Sequence, residues 1–386
     1  MENKLIKLGH DKTLAIMAFY DPDGVVDDYV IFCLSELHKV AERIIIAVNG
    51  KLTAEGEKKL KRITNDIYIR ENKGFDFGAY KEVIGQYLLE QETDSYQKLI
   101  LCNDTCFGPF TSFVKIFSQM DGKDPDFWSM NYIDDLLLPH FQSYFMVFKK
   151  DAIKLLRKFL EEEIDEKVTD IVQAHGYEHA LSEIILKSSI KYDYYTSKAH
   201  YSHDIDIYGA PDYAIKELGL PLIKKKVFSG EFNNQENVKE ALRLIAVEEN
   251  YPVRYILEYV RRVYKREYPF NIYNPVSTAR TTFEKNCTKR EDIIRFCRNR
   301  EKVYVYGNGY MSVLFMARFR RYMNEFGGYI VSDEYYMSDV WKGEKVYPLS
   351  SMCEDVPIIV ALMKESAQQV ANRLCGRKNV LLLSIY

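Results

Sequence analysis

The sequence predicts an α/β protein, with a mostly parallel sheet carrying helices on both faces and a second, smaller α/β unit after it. Three observations carry this expectation. Short apolar runs alternate with stretches of helical spacing through the first 230 residues. The runs close on acid, amide or glycine, the punctuation of a strand entering a loop. The same alternation restarts at Lys302, beyond a polar stretch with a proline at residues 271–282.

Taken in order, TLAIMAFYD (13–21) is an apolar run ending in acid and reads as the first buried strand. DDYVIFCLSELHKVAE (27–42) has apolar residues at helical spacing, with Asp27 or Asp28 available as a cap. RIIIAVNG (43–50) is a second strand closed by Asn-Gly. Residues 53–64 read as a polar helix with a threonine start, and DIYIREN (66–72) as a third strand. A helix from about Gly78 to Glu90 leads to the fourth strand, KLILCND (98–104). Beyond residue 110 the pattern is mixed. Residues 126–132 and 140–151 are strand-like, 151–167 and 177–188 helical, and a tyrosine-rich section runs to 213. Helices are expected over 235–265. The second unit reads as strand 302–310, helix 311–325, strands 329–333 and 357–362, helix 365–376 and strand 379–384. The expected domains are therefore 1–230, a helical connector and linker over 231–300, and a small Rossmann-like domain over 301–386.

Composition excludes several classes. Hydrophobic residues make up 47% and charged residues 28% of the 386, a soluble globular balance. The net charge of −3 gives no global field to recruit nucleic acid or anionic lipid. Seven cysteines lie mostly in apolar runs and read as buried free thiols of a reducing compartment. The amino end has no signal-peptide core, and no run approaches the roughly 20 apolar residues that span a bilayer. The expectation is a cytoplasmic protein, with peripheral contact at the inner face of the membrane left open. The thirty tyrosines suit sugar and base stacking, and equally an ordinary core.

Two motifs stand where an α/β fold opens onto its ligand crevice. In Asn72-Lys73-Gly74-Phe75-Asp76-Phe77-Gly78 the glycines permit close backbone approach, Lys73 can neutralise a phosphate, and Asp76 sits beside the free amides of a helix start. The same residues also read as a plain helix start capped by Asp76, with both phenylalanines packed inward. Asn103-Asp104-Thr105 ends the fourth strand, where transferases of the GT-A type place an Asp-x-Asp element holding Mg or Mn against a diphosphate. Here Asp104 is the lone carboxylate of the three, with two neutral oxygen ligands beside it.

ENKGFDFGAYKEVI, LILCNDTCFGPF and the later PLIKKKVF together resemble the rhamnan synthesis protein F family of bacterial polysaccharide assembly, over roughly residues 10–230. The resemblance implies a GT-A-like fold and transfer of a sugar, by association rhamnose, from a nucleotide-diphosphate donor to a cell-wall or O-antigen glycan. By position, Asn72, Lys73, Gly74, Asp76, Gly78, Asn103 and Asp104 would line the donor site. An inverting transferase needs a base for the acceptor hydroxyl. Candidates are Asp134, Asp135, Glu178 and Glu183, with Glu178 preferred because Tyr177–Glu183 resembles the acidic helix start where such enzymes keep their base. First-turn acids matching the helix dipole are the competing explanation. His203, with His200 nearby, could complete a metal site with Asp104, and Lys224-Lys225-Lys226 could grip phosphates or simply form a solvated face.

In the carboxyl-terminal unit, Gly307-Asn308-Gly309 follows a strand and opens a helix, and Asp333 stands at the interval of a ribose-binding acid. Ser312 replaces the third glycine of the nucleotide fingerprint. Two rivals to glycosyl transfer remain: a non-catalytic module that binds nucleotide sugar or glycan within an assembly complex, and a nucleotide-dependent oxidoreductase centred on Gly307 and Gly309.

Overall fold

The computed structural model describes residues 12–383, except 89–94, 135–138, 150, 166, 198–208, 233–234, 248–250, 269–289, 363 and 375. The chain divides into two compact units, the larger within residues 1–282 and the smaller from Phe283 to Tyr386.

The larger unit is built on an eight-stranded mixed sheet. β1 (Thr13–Phe19), β2 (Arg43–Asn49), β3 (Ile67–Arg70) and β4 (Lys98–Asn103) run parallel in the order β3-β2-β1-β4. β8 (Phe145–Lys149) adds antiparallel to β4 and pairs with β6 (Phe127–Ile133). β6 also pairs with β7 (His140–Phe141) and, in parallel, with β9 (Tyr192–Ser197). This is the expected mixed, mostly parallel sheet. The run expected over 140–151 breaks in two, because the chain turns at Gln142–Tyr144 between β7 and β8.

β1 is buried along its whole length because both sheet faces are covered, which is why it reads as an unbroken apolar run. Its alternate residues serve two cores. Ala15, Met17 and Phe19 face α1 (Asp28–Leu37) and α2 (Ala54–Leu60); Leu14, Ile16 and Ala18 face α3 (Phe75–Glu82). The first core also takes α4 (Phe113–Asp121), α8 (Gln235–Val247) and α9 (Arg254–Tyr264). The second takes α5 (Asp151–Glu163) and α6 (Ile171–Lys187). The stretch expected as a connector thus supplies two helices whose Leu242, Ile245, Ile256 and Val260 are buried in the same core as Met17 and Phe19 of β1.

Caps explain several boundaries. Thr53 caps α2 by accepting from Gly56 N at 3.0 Å, as its position predicts. Asp27 stands at the N-cap of α1 but makes no cap bond; its carboxylate goes to Arg262 of α9 instead. Arg262 also reaches Asp21 at 2.6 Å, so one guanidinium on α9 clasps both acids beyond the end of β1.

α1 and α2 carry the chain from β1 to β2 to β3, and α3 carries it back past β1 to β4 on the other face. The direction of winding reverses between β1 and β4, the position where open α/β sheets form their crevice. A short antiparallel pair, β5 (Cys106–Phe107) with β10 (Ile223–Lys224), lies just beyond β4. α7 (Pro211–Lys216) completes the unit's helices among the described residues.

The smaller unit has six strands where the sequence suggested about four, in the order β13-β14-β12-β11-β15-β16. These are β11 (Lys302–Tyr306), β12 (Glu325–Val331), β13 (Val340–Trp341), β14 (Glu344–Pro348), β15 (Ile358–Val360) and β16 (Val380–Leu382), with α10 (Arg290–Arg298), α11 (Tyr310–Phe319) and α12 (Lys364–Arg373). The unexpected pair is a hairpin of β13 and β14 turned at Lys342-Gly343, both at positive φ. Its short, largely exposed strands carry no apolar alternation to announce them.

Candidate functional site

A cavity of about 500 Å³ opens at the carboxyl ends of β1, β2 and β4, at the reversal point of the sheet. Its walls include Ala18 and Tyr20 after β1, Asn49 of β2, Asn72 and Asp76 around the start of α3, and Asn103, Asp104 and Thr105 at the end of β4. Gln142 and Ser143 join from the β7–β8 turn, Glu178 and His179 from α6, and Lys224 and Lys225 from the β10 segment.

The first motif is held open by an arginine. Arg70, the last residue of β3, is buried and donates to Asn49 Oδ1 at 2.5 Å and to the Lys73 carbonyl at 2.6 Å, and pairs with Glu82 of α3 at 2.5 Å. These bonds curl residues 71–75 into a tight turn in which Gly74 (φ 66°) and Phe75 (φ 52°) are both left-handed. α3 therefore starts at Phe75, three residues before the expected start, and Gly74 rather than Asp76 stands at its cap position. Gly74 N donates to the Val168 carbonyl at 2.6 Å. Gly78 lies under the turn, where a Cβ would stand 2.6 Å from the Lys73 carbonyl oxygen. Gly78→Ala is expected to destabilise the larger unit by about 1–3 kcal/mol through this overlap. An unchanged thermal midpoint would show that the turn gives way instead. Lys73 points to Glu71 rather than into the cavity wall, and both are half or more exposed.

Asp76, freed from capping, accepts from Phe77 N at 3.0 Å and from Asn103 Nδ2 at 2.9 Å. This bond joins the two motifs directly. Asn103 is oriented by Thr105, whose N and Oγ1 both donate to Asn103 Oδ1 (3.2 and 2.6 Å). Burial pushes the Asp76 carboxyl above the usual range, with the nearby Glu178 adding to the rise while Asn103, Phe77 and Lys224 oppose it.

Asp104 is buried and fully engaged. Its Oδ2 accepts from Lys225 Nζ at 2.7 Å and from the Tyr29 hydroxyl at 3.1 Å, and Oδ1 takes the Tyr20 amide at 3.3 Å. On the opposite wall, Glu178 Oε2 accepts from Ser143 N at 2.5 Å, and Oε1 lies 3.6 Å from His140 Nε2. Burial opposes its ionisation, but His140, Lys224 and the Ser143 bond outweigh that and hold the carboxyl below the usual range.

The structure thus brings Asn72, Asp76, Asn103, Asp104 and Glu178 to one cavity, with Gly74 and Gly78 shaping its rim. Glu183 lies elsewhere, exposed and paired with Lys187 one helical turn on. Asp134 ends the described chain after β6, and Asp135, His200 and His203 lie outside the described residues. Sequence reasoning passed over Arg70, Tyr29, Asn49, His140 and Ser143. Arg70 had one signal, a charge ending an otherwise apolar strand directly before Glu-Asn-Lys-Gly.

Among the described residues none completes a divalent-cation site with Asp104. Among the described residues no three His, Cys, Asp or Glu side chains cluster as a metal set. Asp104, the acid on which the expected Mg or Mn rested, already holds an ammonium on the oxygen a metal would take. Cys102 and Cys106 beside it are free thiols, as are Cys33, Cys297 and Cys353, and burial pushes Cys106 up to about 11.

In the smaller unit, Gly307 (φ 101°) ends β11 and Gly309 stands at the cap of α11. Ser312 takes the place of the third glycine and donates to the carbonyls of Gly307 (2.8 Å) and Ala361 (3.3 Å), pinning the loop to β11 and the end of β15. Asp333, the acid expected to meet a ribose, accepts from Ser350 N and Oγ at 3.1 and 2.8 Å, which ties the segment after β12 to the one after β14.

The family described as Rhamnan synthesis protein F matches residues 44–294, well over half of the chain and past α9. A relative in Sinorhizobium fredii (strain NBRC 101917 / NGR234), the uncharacterized protein y4gN, is 24% identical over 143 residues, 36% of this chain and 37% of that one. The chain therefore matches little more than a third of that relative's length. Among solved structures, a cytidylyltransferase from Leptospira borgpetersenii serovar Hardjo-bovis (strain JB197) overlaps with a TM-score of 0.33 at 12% identity, covering 66% of this chain and 95% of that one. The inositol-1-phosphate CTP transferase of T. maritima gives 0.31 at 12%, over 48% and 86%. The mannosyltransferase Ktr4p of S. cerevisiae, in complex with GDP, gives 0.27 at 8%, over 45% and 63%.

Proposed function

Because the chain belongs to the rhamnan synthesis protein F family, we propose that it is a glycosyltransferase that takes a sugar from a nucleoside-diphosphate donor into the cavity beyond β1 and β4. The observation that carries this reading is the convergence of Asp76, Asn103, Asp104 and Glu178, from three separate segments, on one cavity of about 500 Å³. That volume suits a nucleotide sugar, and the polar groups face one another across it.

In this reading the diphosphate lies along the Asn103–Thr105 side and the sugar between Asp76 and Glu178. Glu178 takes the proton of an acceptor hydroxyl. The acceptor oxygen bonds to the anomeric carbon as the bond from that carbon to the phosphate oxygen breaks, and the nucleoside diphosphate leaves with the electron pair. The surroundings push the two acids apart: Glu178 is held as the carboxylate, the form that can accept a proton, and the Asp76 carboxyl is raised. The donor sugar proposed is rhamnose, after the family's description as rhamnan synthesis, and the acceptor proposed is a cell-wall or O-antigen polysaccharide. The work is proposed to be cytoplasmic. Among the described residues no helix is long and apolar enough to cross a membrane, and the approach to a lipid-linked acceptor is proposed to be peripheral.

One observation favours a second reading. Both Glu178 oxygens already have neighbours, Ser143 N and His140, which suits a rigid binding wall as well as a base. Release of nucleoside diphosphate from a panel of nucleotide sugars, a rhamnose donor among them, separates the two. Turnover with one donor is expected. Tight donor binding without turnover, with or without a glycan acceptor, would make the protein a binding module.

A further inference from the structure

A diphosphate concentrates negative charge, and a site built for it must place positive charge where that charge falls. Among the described residues no metal set forms around Asp104, yet the place beside it is not without charge: Lys225 Nζ stands 2.7 Å from Asp104 Oδ2. We propose that Lys225, with Lys224 beside it, is the built-in cation of this site, and that a nucleoside diphosphate binds there without a metal. This rests on the reading that the cavity takes such a donor, and it assigns the ligand chemistry within it.

Four features support the assignment. Lys225 is delivered by backbone register rather than by chance of a mobile side chain. Its amide donates to the Thr105 carbonyl at 2.9 Å, and its neighbour Lys224 pairs with Cys106 across β10 and β5, so the lysines are fixed to the Asn103-Asp104-Thr105 strand end itself. The Lys225 side chain is only 13% exposed, and its ammonium lies against two rings, Tyr29 at 5.3 Å and Tyr259 at 4.8 Å, which help to hold it in place. An ammonium has three N–H donors. Two are directed to Asp104 Oδ2 and the Tyr29 hydroxyl (2.9 Å), and Lys225 also lines the cavity, where the third can meet a phosphate oxygen. Lys224 Nζ, 3.4 Å from Thr105 Oγ1, puts a second positive charge on the same wall.

In this arrangement Asp104 is a positioning residue. It holds Lys225 in place and balances its charge when the site is empty, instead of ligating a metal. The two roles predict opposite behaviour in Asp104→Asn. A metal ligand lost would abolish binding; a counter-ion lost would leave the ammonium free for the diphosphate.

The test measures affinity for UDP, GDP and dTDP by calorimetry, in excess EDTA and again with Mn²⁺, on wild type, Asp104→Asn, Lys225→Met and Lys224→Met, each checked for fold by circular dichroism. One nucleoside diphosphate is expected to bind in EDTA within about threefold of its affinity with Mn²⁺. Each lysine variant should weaken it by about tenfold to a hundredfold, the worth of a charged hydrogen bond. Asp104→Asn should still bind in EDTA, weakened by no more than about tenfold. Binding that needs Mn²⁺ and disappears in Asp104→Asn would overturn the proposal while leaving the donor site standing. So would lysine variants that bind like wild type. Should Lys225→Met fail to fold, Lys224→Met and Asp104→Asn still decide. No binding of any diphosphate under either condition would overturn the donor-site reading itself, and this proposal with it.

Discussion

Arg70→Met is expected to cost the larger unit about 3–5 kcal/mol, the range for removing one partner of a buried ion pair. The Arg70 side chain is 3% exposed, and its loss strands the Glu82 carboxylate, itself 17% exposed, together with Asn49 Oδ1 and the Lys73 carbonyl. Methionine fills much of the volume and leaves those acceptors unmet, so the penalty is chiefly electrostatic. Thermal unfolding should show a midpoint lower by roughly 10 °C. The double variant Arg70→Met/Glu82→Met should recover a good part of the loss, since an apolar pair can replace a buried ionic one. A single variant that melts with wild type would mean that the turn over residues 71–75 stands without its arginine.

Glu178→Gln is expected to lower turnover by about 10²- to 10⁴-fold with donor affinity unchanged, the usual worth of a general base. Glutamine keeps an oxygen for Ser143 N, so the wall should hold its shape. The same variant has a signature in stability. Glu178 is held below its ordinary value of 4.5, so its ionised form adds stability above that value, and this is lost as pH falls through the lower, folded value. Wild type should therefore lose melting temperature on acidification below about pH 4.5 more steeply than Glu178→Gln. Full activity in the variant would remove Glu178 from the chemistry and leave it a positioning residue for the Ser143 turn.

The sheet was legible because its strands are buried on both faces and so read as apolar runs; β1, β2 and β4 begin at the expected residues. The strand ends were legible for the same reason, and with them Asn72, Asp76, Asn103 and Asp104. The start of α3 was not. It depends on two consecutive left-handed residues that Arg70 stabilises through bonds to a neighbouring strand, and no local periodicity encodes that. Asp104 shows the limit most clearly. A lone acid at a strand end suggested a metal, and its actual partner comes from 121 residues further on, by way of the β5–β10 pairing. Lys225 stood in plain view in a run of three lysines, but nothing short of the register could say which of them turns inward.

The clasp of Arg262 on Asp21 and Asp27 has a consequence for how the protein is made. The two acids leave the ribosome early, and their guanidinium follows 241 and 235 residues later. At ordinary elongation rates that interval is roughly 10–50 s. Throughout it the core that Met17 and Phe19 share with α1 lacks its last helix. The nascent chain must pass that time with Asp21 and Asp27 still without their guanidinium. Closure of the clasp then waits for the helix bearing Arg262, and the Tyr259 ring that stands 4.8 Å from Lys225 arrives with it.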